Sequence, residues 1–332
     1  MNSNHLMYDL IASFPAQIKK AVEIGSQKDW SKSTSSITNV LIAGMGGSGI
    51  GGSILKELAF SNSKIPIEVL KDYHIPAFVS KHTLFIACSY SGNTEETIQA
   101  TQEALLAGAQ IKIICSGGIL AEIAKSNALD HLLIPGGMPP RACLGYALVG
   151  LTQICAFYQV IPDLENEFLT AADLIDKQQQ DIKTLALQLS KYIGKSKTAI
   201  YAVPGFQALA IRFAQQLHEN AKQIAWTNCY PELNHNELVS WAGLQEDLTV
   251  VVLDSKNGNK RNKKRINFSK QVIKPLCKAY FELEAQGTSH LQEVIYYIHL
   301  VDFISWYTSL ENNVDAMNIA VIENLKQELS AN

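Results

Sequence analysis

What the sequence lacks narrows its function before any motif is read. It has no uninterrupted apolar run of about 18 residues, the length a membrane-spanning helix requires. Its first ten residues, MNSNHLMYDL, carry neither the charged start nor the apolar core of a secretory signal. It also lacks an excess of one charge: 28 Lys and Arg stand against 31 Asp and Glu, a net charge of −3. No global field therefore draws in nucleic acid or an anionic membrane. Cysteine is sparse, and the six residues (Cys88, Cys115, Cys143, Cys155, Cys229, Cys277) form no C-x-x-C pair or Cys/His cluster. Zinc and a disulfide framework are not expected; reduced, mostly buried thiols in a cytoplasmic protein are. The one basic run, NGNKRNKKR at 257–265, reads as a solvated loop entering a helix. Nucleic-acid binding would call for a broader basic face with aromatic platforms.

What the sequence does have is apolar substance, 47% of its residues, arranged in alternating strand and helix patterns. A helix is expected over residues 5–30, with apolar positions at Leu10, Ile11, Phe14, Ile18 and Val22. Strands follow in TNVLIAG, IPIEVL, HTLFIAC, AQIKIIC and HLLIP. They are continuous apolar runs, as in a parallel sheet buried on both faces. Residues 142–192 are mostly helical in pattern. The theme then restarts, with SKTAIYAVPGFQALAIRFAQQL parallel to ITNVLIAGMGGSGIGGSILKEL and EDLTVVVLDS parallel to KHTLFIACSY. The length and this weak duplication predict two α/β domains. The second has lost the glycine-rich loop, because Val203-Pro204-Gly205-Phe206 offers few backbone donors.

In the first repeat, Gly44, Gly46 and Gly49 spell G-x-G-x-x-G between a strand and a helix. Such a turn lets the backbone and a helix N-terminus approach an anion closely. It fits a dinucleotide or a sugar phosphate equally, and Glu68 and Asp72 keep the dinucleotide reading open. A P-loop is excluded, since no Gly-Lys-Ser/Thr follows. The next strand ends in CSYSGNTEET, which sets Ser89, Ser91 and Thr94 around Gly92. Adjacent strand ends of an open α/β sheet converge on one crevice. Helix capping accounts for one of these hydroxyls; three of them, with Ser48 in the first turn, suit a compact phosphate monoester.

The pair GMGGSG and SYSGNTEET resembles the SIS (sugar isomerase) domain. The duplication, the PPR at 139–141 and the NHNE at 234–237 resemble the bifunctional phosphoglucose/phosphomannose isomerases, over nearly the whole chain. The resemblance implies an α/β fold of two SIS-type domains, each a parallel sheet flanked by helices in a three-layer sandwich. We expect residues 1–153 to form the first, 154–190 connecting helices, and 191–332 the second. It further implies a cytoplasmic homodimer with active sites near its interface, no metal and no cofactor. The implied reaction interconverts glucose 6-phosphate or mannose 6-phosphate with fructose 6-phosphate. Gly46, Gly47, Ser48, Ser89, Ser91, Thr94 and Arg141 are the expected substrate-binding residues. A non-catalytic phosphosugar-binding SIS module and a dehydrogenase are the competing readings.

Such an isomerase opens a sugar ring, then moves a proton between C1 and C2 through a cis-enediol(ate), which calls for a base, a ring-opening group and a cation. Glu219 lies on a helical stripe with Arg212, Gln215, Gln216 and Lys222, which by pattern alone reads as a solvated polar face. The resemblance instead assigns Glu219 as catalytic base, with His218 where the family usually has Asn. His235, among Asn234, Asn236 and Glu237, reads as a residue near a helix cap; the resemblance assigns it to ring opening, in some members across the dimer interface. Arg141, behind Pro139-Pro140, reads as a surface arginine at a helix start, and by resemblance stabilises the enediolate. Lys326, on the amphipathic VIENLKQEL, reads as a solvated lysine, and by resemblance approaches the sugar.

Overall fold

The computed structural model describes residues 3–243, 245–256 and 258–330; Asn257, the first residue of the basic run, lies outside them. The chain divides into two compact units. One holds residues 13–177 and 287–295, and the other holds residues up to 12, 178–286 and those from 296 on. Of the segment read as connecting helices, the part up to Lys177 thus belongs to the first unit and the part from Gln178 to the second.

The first unit is built on β1 (Asn39–Ala43), β2 (Ile67–Leu70), β3 (Thr83–Cys88), β4 (Gln110–Cys115) and β5 (Asp130–Leu133). All pairings are parallel, in the order β2-β1-β3-β4-β5. β3 is buried along its whole length, which is why it reads as an unbroken apolar run. On one side of the sheet Leu41, Phe85, Ile111 and Ile113 pack with Ala100, Ala104 and Leu120. The last three come from α4 (Glu95–Leu106) and α5 (Gly118–Ser126). α3 (Gly46–Ala59) packs against α6 (Leu144–Phe157), whose apolar sequence is buried on nearly every side. α7 (Glu165–Lys177) packs on residues Phe14–Ser26 of the N-terminal helical segment.

That segment is not the single helix expected over 5–30. It breaks at Ser13 into α1 (Ser3–Ala12) and α2 (Phe14–Ser26). Pro15 has no N–H for the preceding turn, and its ring collides with the carbonyl four residues back.

The second unit repeats the theme. Its sheet holds β6 (Lys197–Ala202), β7 (Ala225–Cys229), β8 (Gln245–Asp254) and β9 (Cys277–Glu284), all parallel, in the order β7-β6-β8-β9. β6 and β8 occupy the places of β1 and β3, so the duplication read from pattern is present in the topology. Around this sheet run α8 (Gln179–Ile193), α9 (Gln207–Ala221), α10 (Lys260–Ile273), part of α11 (His290–Glu311) and α12 (Ala320–Ser330).

The polar stripe of α9 is largely turned from solvent, although Lys222 at its end is exposed. Arg212 and Gln216 are each only 2% exposed, and both bind Asp302 of α11, at 2.6 and 2.7 Å. Asn220 continues the row by donating to Ser305 at 2.9 Å. Burial pushes the Asp302 carboxyl up, against the pull of Arg212 and Gln216.

Candidate active site

In the first sheet the strand order reverses between β1 and β3, and ligands of open α/β sheets bind outside the carboxyl ends at such a point. Ala43 is opposite Ala87 in register, so the glycine loop and the hydroxyl turn leave the sheet side by side. They are tied together: Ser48 Oγ accepts from the backbone N–H of Tyr90 at 3.2 Å. Ser89 Oγ lies 2.8 Å from Thr94 Oγ1. Ser91 is exposed, and its hydroxyl accepts from Asn93 N at 3.2 Å. Thr94 occupies the N-cap position of α4, yet its side chain makes no capping hydrogen bond. The hydroxyl is thus not spent on the helix. α3 likewise starts without a side-chain cap, at Met45. Two helix N-termini therefore present first-turn donors at the reversal point.

Arg141 is 3% exposed, not a surface arginine, and sits in the 3-10 turn Pro140–Ala142. The glycine loop packs on this turn: a Cβ on Gly47 would stand 3.0 Å from the Pro140 carbonyl oxygen and 3.4 Å from Arg141 N. Tyr90 secures the approach, its phenol oxygen accepting from Met138 N at 3.1 Å. Gly92 has φ +70°, and a Cβ there would lie 1.8 Å from the Gly117 carbonyl oxygen, so the hydroxyl turn admits no side chain at that point. This unit therefore brings Gly46, Gly47, Ser48, Ser89, Ser91, Thr94 and Arg141 into one neighbourhood.

The second unit separates its candidates. Glu219 is half-buried near the end of α9, twelve residues past Gln207. α9 runs back from the carboxyl end of β6, so Glu219 lies roughly 18 Å along the helix, toward the amino edge of the sheet. Its neighbour His218 confirms the placement, since its ring hydrogen-bonds the main chain of Ala225, the first residue of β7. A cleft of about 550 Å³ opens at this edge, lined by Lys195, Lys197, Lys222 and Asp247 among others. His235 is exposed in the loop that leaves the opposite, carboxyl end of β7. Lys326 is exposed on α12.

Two residues beside the phosphate loops, Tyr90 and Lys71, escaped the sequence reading, and in the second unit Glu237 was named only as a neighbour of His235. Tyr90 sits inside the hydroxyl motif, and its aromatic body amid serines was the available signal. The Lys71 stem lies over the glycine loop, Cε 3.4 Å from where a Cβ of Gly49 would be. Burial lowers its pKa. Glu237 accepts from Tyr201, Trp226 and Asn228. Of the two carboxylates that kept the dinucleotide reading open, Glu68 pairs with Lys56 at 2.8 Å, and Asp72 accepts from Tyr73 N at 2.7 Å. Among the described residues no group of three His, Cys, Asp or Glu is arranged to hold a metal, and no helix is long and apolar enough to cross a membrane.

Residues 178–329 match the family described as the bacterial phospho-glucose isomerase C-terminal SIS domain. The chain is 34% identical to the bifunctional phosphoglucose/phosphomannose isomerase of Caldicellulosiruptor bescii, over 98% of this chain and 99% of that protein. The chain belongs to this family. The enzyme of the same name from Thermoplasma acidophilum is 36% identical over 91% of this chain and 93% of its own length. Among solved structures, the C-terminal domain of glucosamine-fructose-6-phosphate aminotransferase from Francisella tularensis superposes with a TM-score of 0.76 at 15% identity. It covers 93% of this chain and 97% of that one, a likeness of fold.

Proposed function

We propose that the protein interconverts glucose 6-phosphate and mannose 6-phosphate with fructose 6-phosphate, by proton transfer through a cis-enediol(ate). The observation that carries this reading is the reversal point between β1 and β3. There, two helix N-termini without side-chain caps meet Ser48, Ser89 and Thr94. This crevice suits a tetrahedral dianion, which the helix dipoles and hydroxyls stabilise. Gly46, Gly47, Ser48, Ser89, Ser91 and Thr94 hold the phosphate. Buried Arg141, fixed beside Gly47, supplies positive charge where the enediolate oxygen develops. Glu219 takes the C2 proton of the aldose and returns it to C1, and the reverse reaction retraces the path. His235 moves the ring-oxygen proton, its imidazole offering a donor and an acceptor nitrogen. Lys326 approaches the sugar.

The working form in this reading is a cytoplasmic homodimer, with Glu219 of one copy acting alongside His235 of the other. It is supported by the placement of the two residues at opposite edges of one sheet. The test is conversion of fructose 6-phosphate to glucose 6-phosphate, coupled to a glucose 6-phosphate dehydrogenase, with mannose 6-phosphate assayed in parallel. Purified protein that turns over neither sugar overturns the reading.

A further inference from the structure

The loop that carries His235 has little regular structure to hold it. It consists of two short 3-10 turns, Glu232–His235 and Glu237–Ala242, between β7 and β8. The His235 ring is exposed and makes no side-chain hydrogen bond among the described residues, so its main chain alone fixes where it stands. That main chain is pinned on both sides. Ahead of His235, Leu233 is fully buried and Asn234 Nδ2 donates to Ser269 Oγ of α10 at 2.9 Å. Behind it comes Glu237, whose half-buried carboxylate accepts from three side chains. Tyr201 Oη and Trp226 Nε1 donate to Oε1 at 2.6 and 3.0 Å, and Asn228 Nδ2 donates to Oε2 at 2.6 Å. Tyr201 is fully buried and itself accepts from Trp241 Nε1 at 3.1 Å, so the network reaches the far end of the loop.

The chemistry of this cluster is selective. All three groups are neutral donors, drawn from β6 and β7, and they converge on a side chain that when ionised only accepts. Hydrogen bonds to a carboxylate are about twice as strong as neutral ones. Removing it would leave the Tyr201 hydroxyl and the Trp226 and Asn228 N–H groups facing one another. Asn236 adds a local tie, its Oδ1 accepting from Glu237 N at 2.6 Å. We propose that Glu237 is a positioning residue for ring opening: its carboxylate, held by Tyr201, Trp226 and Asn228, fixes the backbone that presents His235. This rests on the reading of His235 as the ring-opening group, and the experiment separates the two.

The experiment compares a closed sugar with an open one. Hexose 6-phosphates require ring opening. A tetrose 4-phosphate, its terminal oxygen esterified, cannot cyclise and needs only proton transfer at C2. Turnover of fructose 6-phosphate is measured beside deuterium uptake from D2O at C2 of the tetrose phosphate. His235→Ala is expected to lose about a hundredfold or more on the hexose and to stay within a few-fold on the tetrose. Glu237→Ala should show the same selective loss. Glu237→Gln keeps an acceptor for Tyr201 and Trp226 and meets an Asn228 amide turned over, so it should recover to within about tenfold. Should Glu237→Ala not fold, Asn228→Ala, which removes one donor and leaves the carboxylate, should show a smaller loss with the same selectivity. Equal loss on both sugars in the Glu237 and Asn228 variants, or no loss in either, overturns the positioning role. A His235→Ala variant without selectivity overturns the reading of His235 instead.

Discussion

Glu219 and His235 stand at opposite edges of the same four-stranded sheet. His218, beside Glu219, is bonded to Ala225 where β7 begins, whereas His235 follows where β7 ends. In the proposed shared site, the pair that acts on one sugar comes from two copies. Glu219→Gln and His235→Ala proteins, each inactive alone, are therefore expected to regain activity when unfolded together and refolded as a mixture. Random pairing in a two-fold dimer makes about half the dimers mixed, each with one intact site, so about a quarter of wild-type activity should return. Fructose 6-phosphate turnover in the mixture measures it, and a mixture as inactive as its parents contradicts the shared site.

Thr94 sits at the start of α4 without capping it, so affinity and stability should come apart there. Thr94→Val keeps the shape and removes the hydroxyl 2.8 Å from Ser89 Oγ. A hydrogen bond to a charged group contributes about 1.5–3 kcal/mol. KM for hexose 6-phosphates should therefore rise about tenfold to a hundredfold, with kcat changed only a few-fold. The melting temperature should stay near wild type. A large fall in melting temperature with unchanged KM would show the hydroxyl to be structural.

The acid limit of stability should depend on a cluster remote from these candidates. Lys112, only 7% exposed at its side chain, pairs with Asp130 at 2.5 Å, and Ser31 donates to the same carboxylate oxygen through its hydroxyl and its backbone N–H. Burial alone would raise the Asp130 pKa, but Lys112 and Ser31 outweigh it and hold the group at about 2, from 3.8. A depressed carboxylate stabilises the fold above its unfolded pKa, and that contribution is lost as pH falls through the folded one. The shift corresponds to about 2 kcal/mol, present in full above about pH 4 and gone near pH 2. Asp130→Asn should be less stable at neutral pH and show a flatter decline between pH 4 and 2. Urea unfolding at a series of pH values checks both.

The strands most legible in the sequence were those whose burial leaves a continuous apolar run, such as TLFIAC of β3 and VVVLD within β8, although the edge strands β2 and β5 were also read from their short apolar stretches. The two missed strands, AWTNC of β7 and CKAYFELE of β9, form the edges of the second sheet and are only half-buried. There polar and apolar residues mix, and no run forms. The glycine and hydroxyl turns could be read because their chemistry is local. Their joining could not: Ser48 meets Tyr90 and Gly47 meets Pro140 only after the sheet brings distant loops together. The α9 stripe misled for the same reason. Nothing local distinguishes Arg212, Gln216 and Asn220 facing water from the same residues facing Asp302 and Ser305.

The two sheets share the neighbour order second-first-third-fourth, but only the first retains a glycine loop at its reversal point. In the second, Pro204 stands where the backbone donors would be, and the loop after β7 carries His235 instead. In the proposed reading one scaffold plan occurs twice and is furnished differently, the first unit grasping the anion and the second handling protons. In that reading the phosphate grip is written in one stretch of the gene and the proton-moving groups in another, with Arg141 serving turnover from the first. Selection, or an engineer, would then adjust the grip largely apart from the proton transfer.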